Sequence, residues 1–127
     1  MADAPDTPDP RFLEGVALFN RGEYFEAHEV WEDWWRDCPA SERRFAQALI
    51  QAAVAVYHYR RGNYAGASRL FHSGRRYMDA YRPTHCGLNV PDFWARVESH
   101  VGPALGGGDP PVGPPPVIVL SDTRTGP

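Results

Sequence analysis

The sequence has no hydrophobic run long enough to cross a membrane. A helical span takes roughly 18 or more consecutive apolar residues, and no stretch of the 127 residues approaches that length. The first residues also lack the basic and apolar regions of a secretory signal. Because 43% of the residues are hydrophobic and 23% are charged, we expect an ordinary globular domain in the cytoplasm, without a membrane partner.

Cysteine is scarce as well. Cys38 and Cys86 are isolated and form no Cys-x-x-Cys motif, so we expect free thiols in a reducing compartment rather than a disulfide framework. His85 and Cys86, taken with the distant Cys38, match no established metal-ligand spacing. The sequence therefore predicts no cofactor at these residues.

Motifs that commonly carry catalysis or phosphate binding are missing. No serine stands in a nucleophile-elbow pattern, and the glycines at 106–108 lie in a proline-rich segment rather than between a strand and a helix. These absences favour a binding protein over an enzyme.

Lysine is absent, so all thirteen basic residues are arginines, and the charges are unevenly distributed. Residues 1–42 hold eleven of the sixteen acidic residues, whereas residues 43–82 hold eight arginines and one acid, Asp79. Oppositely charged helices that face each other or water explain this pattern, and a basic face for an anionic ligand is the alternative. Nucleic acid is not a favoured partner, because the net charge is −3 and no nucleic-acid-binding motif is present.

Caps, breakers and apolar spacing predict an all-α fold. It is a compact five-helix bundle of antiparallel helical hairpins over residues 9–102. Asp9 and Asn89 are the expected N-caps of the first and last helices. The predicted helices end near residues 20, 37, 61, 81 and 102, and residues 82–89 are expected to form a loop.

Proline and glycine dominate the end of the chain. We expect disorder over residues 1–8 and an extended tail over residues 103–127. The four apolar residues 117–120 within that tail are expected to dock on the bundle, on a second copy in a homo-oligomer, or on another partner, and disorder is the alternative.

A short pattern occurs twice, because Gly-x-Tyr-x-x-Ala begins at Gly22 and again at Gly62. It is similar to the turn between the helices of a tetratricopeptide repeat, where glycine ends one helix and tyrosine and alanine begin the next. Two units are fewer than the three or so that an open solenoid needs. The resemblance therefore implies two helical hairpins inside a compact bundle.

Functional side chains are most concentrated between Gly22 and Trp35. This stretch contains three of the four tryptophans, one histidine and five carboxylates. On a helical wheel the indoles share an apolar arc, and His28 and Glu32 lie together at its border. Indole rings bury roughly 150–250 Å² each. We therefore expect the second helix to be buried on its indole side, and Trp31 to be important for stability.

The third helix is apolar nearly all round, which predicts a central position. Its polar residues form a narrow stripe of Gln47, Gln51 and His58, within about 40° of one another on the wheel. If the second and third helices are antiparallel, this stripe is expected to face His28 and Glu32. The remaining histidines, His72 and His100, are expected on helix surfaces.

The candidate ligand-binding residues come from these two helices: His28, Glu29, Trp31, Glu32, Trp35, Gln47, Gln51 and His58. Three interpretations stay open: a buried hydrogen-bond network, a small-ligand pocket, or a divalent metal site. The metal ligands would be His28, Glu32 and His58. A catalytic version would use Glu32 or Glu29 as a base oriented by His28, although the second histidine of a His-Glu-x-x-His motif is missing.

Two motifs together resemble a known family. His28-Glu29-Val30-Trp31-Glu32 is followed by Phe45-Ala46-Gln47-Ala48-Leu49-Ile50-Gln51 and then His58. This combination is similar to the bacterial and archaeal family called domain of unknown function 309, over roughly residues 11–101. The resemblance implies a small, all-helical, cytoplasmic protein and supplies no reaction.

The favoured function is a non-catalytic binding module for a protein or a small molecule. The repeated hairpin pattern and the absence of a nucleophile motif motivate this hypothesis. A small metal-dependent hydrolase that uses His28, Glu32 and His58 is the alternative.

Overall fold

A computed structural model describes residues 8–106 and 113–121. The expected disorder of residues 1–8 falls almost wholly outside these ranges, as does much of the predicted tail. The all-α fold is confirmed. Five α-helices occupy the described residues: α1 (Pro10–Asn20), α2 (Tyr24–Asp37), α3 (Ala40–Arg60), α4 (Tyr64–Met78) and α5 (Val90–Val101). None of these helices is long and apolar enough to span a membrane.

Helix starts follow the predicted capping residues. The Asp9 carboxylate accepts a hydrogen bond from the Arg11 backbone N–H at 2.8 Å, and Pro10 takes the first helical position. The Asn89 side chain accepts one from the Asp92 N–H at 3.0 Å. Both caps satisfy amide groups that a helix otherwise leaves without a partner.

The turns at Gly22 and Gly62 have the same geometry. Both glycines are left-handed, with φ of 82° and 84°. The following N–H donates back to the carbonyl five residues earlier, at 2.9 Å for Glu23 and 2.8 Å for Asn63. This is the Schellman arrangement that ends a helix, and a residue with a Cβ would be strained at its left-handed position.

Neighbouring helices are antiparallel, and α3 is central. Phe19 near the end of α1 meets Tyr24 at the start of α2, with ring centres 5.1 Å apart. Tyr59 near the end of α3 stacks on Tyr64 at the start of α4, at 5.4 Å. Helix α5 closes the core, where Phe93 lies 5.9 Å from Phe19. The predicted central position of α3 follows from the eight buried residues along its length.

The segment after α4 differs from the prediction. Helix α4 ends at Met78 and continues as a 3₁₀ turn over Asp79–Tyr81. The predicted loop contains a small antiparallel hairpin, β1 (Thr84–His85) and β2 (Leu88–Asn89). Strands of two residues carry no alternation of apolar and polar side chains, so no sequence pattern marked them.

The described part of the tail, residues 113–121, packs on the bundle. Ile118 is 5% exposed and joins the hydrophobic core. Its N–H donates to Asn20 Oδ1 at 2.7 Å, and Asn20 Nδ2 donates to its carbonyl at 2.9 Å. The Ser121 N–H donates to the Gly87 carbonyl at 2.8 Å. The tail is thereby attached to α1 and to the hairpin.

Candidate functional site

One stripe of α2 faces α3 and solvent at the same time. Phe25, His28, Glu32 and Trp35 recur every three or four residues, which places their side chains on one side of the helix. We call these four residues, together with Arg43 and Tyr57 of α3 and its C-cap residue Arg61, the aromatic face.

Both ends of the stripe contact α3. The Phe25 ring lies 5.4 Å from the ring of Tyr57, near the end of α3. The Trp35 ring lies 4.2 Å from the guanidinium carbon of Arg43, near the start of α3. These contacts establish that α2 and α3 are antiparallel, as predicted, and that they form the two sides of the aromatic face.

His28 has a defined orientation. Its Nδ1 lies 2.7 Å from the carbonyl oxygen of Phe25, so Nδ1 carries the proton and donates it. Nε2 then faces Glu32, with 4.0 Å between Nε2 and Oε2. This distance is too long for a hydrogen bond. Because the Glu32 side chain is 44% exposed, the pair contributes little to stability as an ion pair.

An arginine covers Trp35. A cation over an indole face is attracted by the ring quadrupole, by roughly 0.5–1 kcal/mol at an exposed site. The indole N–H of Trp35 has no hydrogen-bond partner among the described residues, although the nitrogen is shielded from solvent. Unpaired buried donors are uncommon. This end of the aromatic face therefore offers an unused hydrogen-bond donor.

Phe25 is the exposed aromatic ring of the face. It is 43% exposed even though its ring contacts both His28, at 4.9 Å, and Tyr57. Arg61 lies over the neighbouring Tyr57, with its guanidinium carbon 5.4 Å from the centre of that ring. The result is an apolar surface bordered by an imidazole and a guanidinium.

The polar residues of α3 do not form one continuous stripe towards α2, because one lies at the edge of the aromatic face and another faces α4. His58 lies beside Tyr57, with ring centres 6.1 Å apart, at the edge of the aromatic face. Gln51 instead packs beside Gly74 of α4, and its side-chain oxygen is buried without a partner. Gln47 is half-buried. Within the described ranges, no hydrogen bond or ion pair joins this stripe to His28 or Glu32.

Other candidates lie away from the aromatic face. Trp31 is fully buried, and its indole N–H donates to the Phe12 carbonyl at 3.1 Å, so this ring belongs to the core. Glu29 is exposed on α2 and makes no ion pair among the described residues. The structure therefore shows no contact through which His28 could orient Glu29 as a catalytic base.

His100 is not on a helix surface as expected. It is 5% exposed, its Nδ1 lies 3.1 Å from the Gly113 carbonyl, and its ring contacts Tyr59. The prediction was wrong because it considered α5 alone, whereas the tail covers this side of the helix. His72 is exposed, as expected.

A cleft of about 170 Å³ lies elsewhere, between α4 and α5, and is lined by Arg75, Arg82, Trp94 and neighbouring residues. It is smaller than the roughly 300–1,000 Å³ of most small-molecule sites. None of the residues of the aromatic face lines it.

Sequence reasoning missed Phe25, Arg43, Tyr57 and Arg61 as members of the site. Phe25 had a usable signal, because it stands three residues before His28 and seven before Glu32 on the same stripe. The other three residues had no such signal, since their positions depend on how α2 and α3 pack.

Comparison with known proteins gives a family resemblance over part of the chain and no activity. Residues 12–70 match the family model described as a domain of unknown function, DUF309. The chain is also 46% identical over 59 residues to the uncharacterized protein YpuF of Bacillus subtilis (strain 168). That alignment covers 46% of this chain and 34% of the relative, so the chain spans about a third of the relative's length.

The family match is shorter than the residues 11–101 expected from the motifs, because it ends within α4. It includes most of α1, all of α2 and α3, and the whole aromatic face. The helices over residues 12–70 are therefore similar to the domain of unknown function 309 family.

Proposed function

We propose that this protein is a non-catalytic binding module that holds a protein partner on the aromatic face. The observation that carries the proposal is Phe25, a phenylalanine left 43% exposed inside an aromatic cluster. Exposed apolar surface with a polar border is typical of protein interaction sites.

The composition of the face supports a protein partner. Aromatic residues and arginine are enriched among the residues that dominate binding energy at interfaces. Here Phe25 and Tyr57 supply apolar area, while Arg43 and Arg61 lie over aromatic rings that hold them in place. Contacts of this kind lower the entropy that side chains lose on binding.

A small-molecule ligand is the weaker alternative. Small molecules favour concave pockets that bury most of their surface. The cleft between α4 and α5 is smaller than most small-molecule sites, and it lies away from the aromatic face. A protein partner requires only a surface with a well-placed apolar anchor.

The test places a photo-crosslinking amino acid at position 25 of the full chain and at position 13 as a control. Leu13 of α1 has the same exposed fraction, 43%, but lies outside the aromatic face. We expect irradiation in the source cells to give a discrete adduct from position 25 and not from position 13. Equal adducts from both positions, or none from either, would contradict the proposal.

A further variant tests whether the aromatic face holds the partner, and the mass of the adduct identifies the type of partner. Tyr57→Ser should abolish the adduct at position 25 while leaving the helical circular dichroism unchanged. An adduct with twice the mass of the chain would identify a second copy as the partner, and analytical ultracentrifugation of the purified protein would then show a dimer that Phe25→Ser dissociates.

A second candidate function is metal-dependent catalysis at His28 and Glu32. The observation that favours it is the Nδ1 contact with the Phe25 carbonyl, because histidines that bind metals commonly donate the other ring N–H in this way. No third histidine, cysteine or carboxylate joins this pair within the part of the chain that the structure describes. Among the described residues, no hydrogen bond or ion pair joins His58, the third predicted ligand, to His28 or Glu32.

Elemental analysis of protein purified without a histidine tag tests this candidate. Loss of a stoichiometric metal in His28→Ala, but not in the control His72→Ala, would support it. If His28→Ala retains the metal content of the wild type, metal chemistry at this pair is excluded.

A further inference from the structure

A second cluster lies at the start of α3, away from the aromatic face. Glu42 stands in the first turn of α3, and the hairpin places His85 and Cys86 beside it. One ligand atom of each residue lies within 4.8 Å of the others. The closest pair is His85 Nε2 and Glu42 Oε1, at 2.7 Å.

Two aromatic rings hold the imidazole of His85. The ring of Phe45, which is fully buried, lies 4.6 Å away, and the ring of Tyr81 lies 4.7 Å away. Tyr81 is itself fixed, because its hydroxyl donates to the Ser41 carbonyl at 2.8 Å. His85 is therefore positioned by core packing before any ligand binds.

The backbone at Cys86 is a second, independent observation. Cys86 and Gly87 form the two-residue loop of the hairpin, and both have positive φ, 51° and 78°. Such loops favour asparagine followed by glycine, because most side chains are strained at positive φ. A cysteine at this position has a conformational cost, and strain of this kind is concentrated at functional sites.

We propose that Glu42, His85 and Cys86 form a binding site for a thiophilic divalent metal ion of the zinc class. A thiolate, an imidazole and a carboxylate are the three ligand types that zinc takes in proteins. The soft sulfur disfavours magnesium and calcium, which bind oxygen ligands. Three protein ligands leave a fourth tetrahedral position for water.

The three ligand atoms, which lie within 4.8 Å of one another, would each have to shift by roughly 1 Å to bind one ion. At zinc–ligand distances of about 2.0–2.3 Å, ligand atoms in a tetrahedral site lie roughly 3.3–3.8 Å apart. The Glu42–His85 hydrogen bond at 2.7 Å would open by less than about 1 Å as the metal replaces the proton between them. The Glu42 and His85 side chains are 25% and 27% exposed, which leaves a path for the ion.

Cobalt titration of the reduced full-length protein tests the site. Cobalt(II) bound to a thiolate gives a sulfur-to-metal charge-transfer band, which carboxylates and imidazoles alone do not give. We expect one equivalent of cobalt to produce this band and zinc to displace it. Absence of the band in the wild type would overturn the proposal.

The variants identify the thiolate. Cys86→Asn removes the ligand but suits the left-handed loop position, so it should fold at least as well as the wild type while losing the band. The matched control is Cys38→Ser, the other thiol of the chain, which should keep it. A band that survives in Cys86→Asn, or one that disappears in Cys38→Ser, would contradict the assignment.

Affinity and stability give two further measurements. Glu42→Gln keeps the shape of the side chain but removes its charge. We expect it to weaken zinc binding by roughly 100-fold or more, because mutation of a residue that only supports a metal ligand weakens binding by about 10–100-fold. Zinc should raise the melting temperature of the wild type and leave that of Cys86→Asn unchanged. Equal zinc stabilisation of both proteins would indicate adventitious binding. Because His28→Ala should retain the cobalt band, the result is independent of the function proposed for α2.

Discussion

Substitution of Gly15 by alanine tests the packing of α1 against α2. Gly15 is buried in α1, and a Cβ built on it would overlap the indole of Trp31, including its nitrogen. Trp31 cannot move away easily, because it is fully buried and its N–H donates to the Phe12 carbonyl at 3.1 Å. The added methyl group must therefore displace a rigid ring in a closed core.

The expected magnitude follows from three effects. Glycine to alanine inside an unconstrained helix gains about 0.5–1 kcal/mol. Overpacking a core costs about 1–3 kcal/mol, and loss of the Trp31 hydrogen bond leaves a buried donor unpaired, at about 1–3 kcal/mol. The penalties exceed the gain, so we expect Gly15→Ala to lower the free energy of unfolding by about 3 kcal/mol.

Urea denaturation followed by circular dichroism measures this change. Gly74→Ala is the matched control, because its Cβ would lie 2.9 Å from the edge of the Trp94 ring, a milder contact that should cost less. In a Trp31→Phe background, Gly15→Ala should cost less than in the wild type, since the smaller ring leaves room. If Gly15→Ala is as stable as the wild type, the close packing of Gly15 on Trp31 is refuted.

Three further predictions concern the core, the first cap and the tail. Trp31→Ala should lower the free energy of unfolding by about 3–5 kcal/mol, as for other large core residues, and a loss below about 1 kcal/mol would contradict the burial of α2. The hydrogen bond from Arg11 lowers the pKa of the Asp9 carboxyl below its usual 3.8, despite the opposing effect of burial. The stability that Asp9 provides is therefore fully present above that value and is lost as the pH falls through the lower folded-state pKa. Asp9→Ala should cost about 1 kcal/mol at neutral pH and less near pH 2, and an equal cost at both values would refute the role of the charge. Asn20→Ala should accelerate amide hydrogen exchange at Ile118 measured by mass spectrometry, because it removes both hydrogen bonds to that residue, and unchanged exchange would contradict the docking.

Local features of the fold could be predicted from the sequence because they depend on residues close together in the chain. Asp9 and Asn89 cap helices through contacts with residues two or three positions away. Gly22 and Gly62 end helices through their own backbone conformation. The His28–Glu32 pair needed only one turn of helix.

Three other features that depend on tertiary packing could not be predicted. Glu42 and His85 are 43 residues apart, and no spacing rule connects a helix start with a later hairpin. The burial of His100 depends on a tail residue, Gly113, in a segment whose position the helix pattern does not report. Gln51 faces α4 rather than α2 because Gly74 leaves space for it there.

The contact between Asn20 and Ile118 has a consequence for the order of events during synthesis. The two residues are 98 positions apart, so the ribosome makes the whole helical bundle before Ile118 exists. Hairpins such as α1–α2 can close on local contacts, whereas this contact must close a very long loop. Until then the amide of Asn20 is hydrated and the core lacks one side chain. A chain truncated before residue 118 and released from the ribosome should therefore hold native-like helices around an incompletely sealed core.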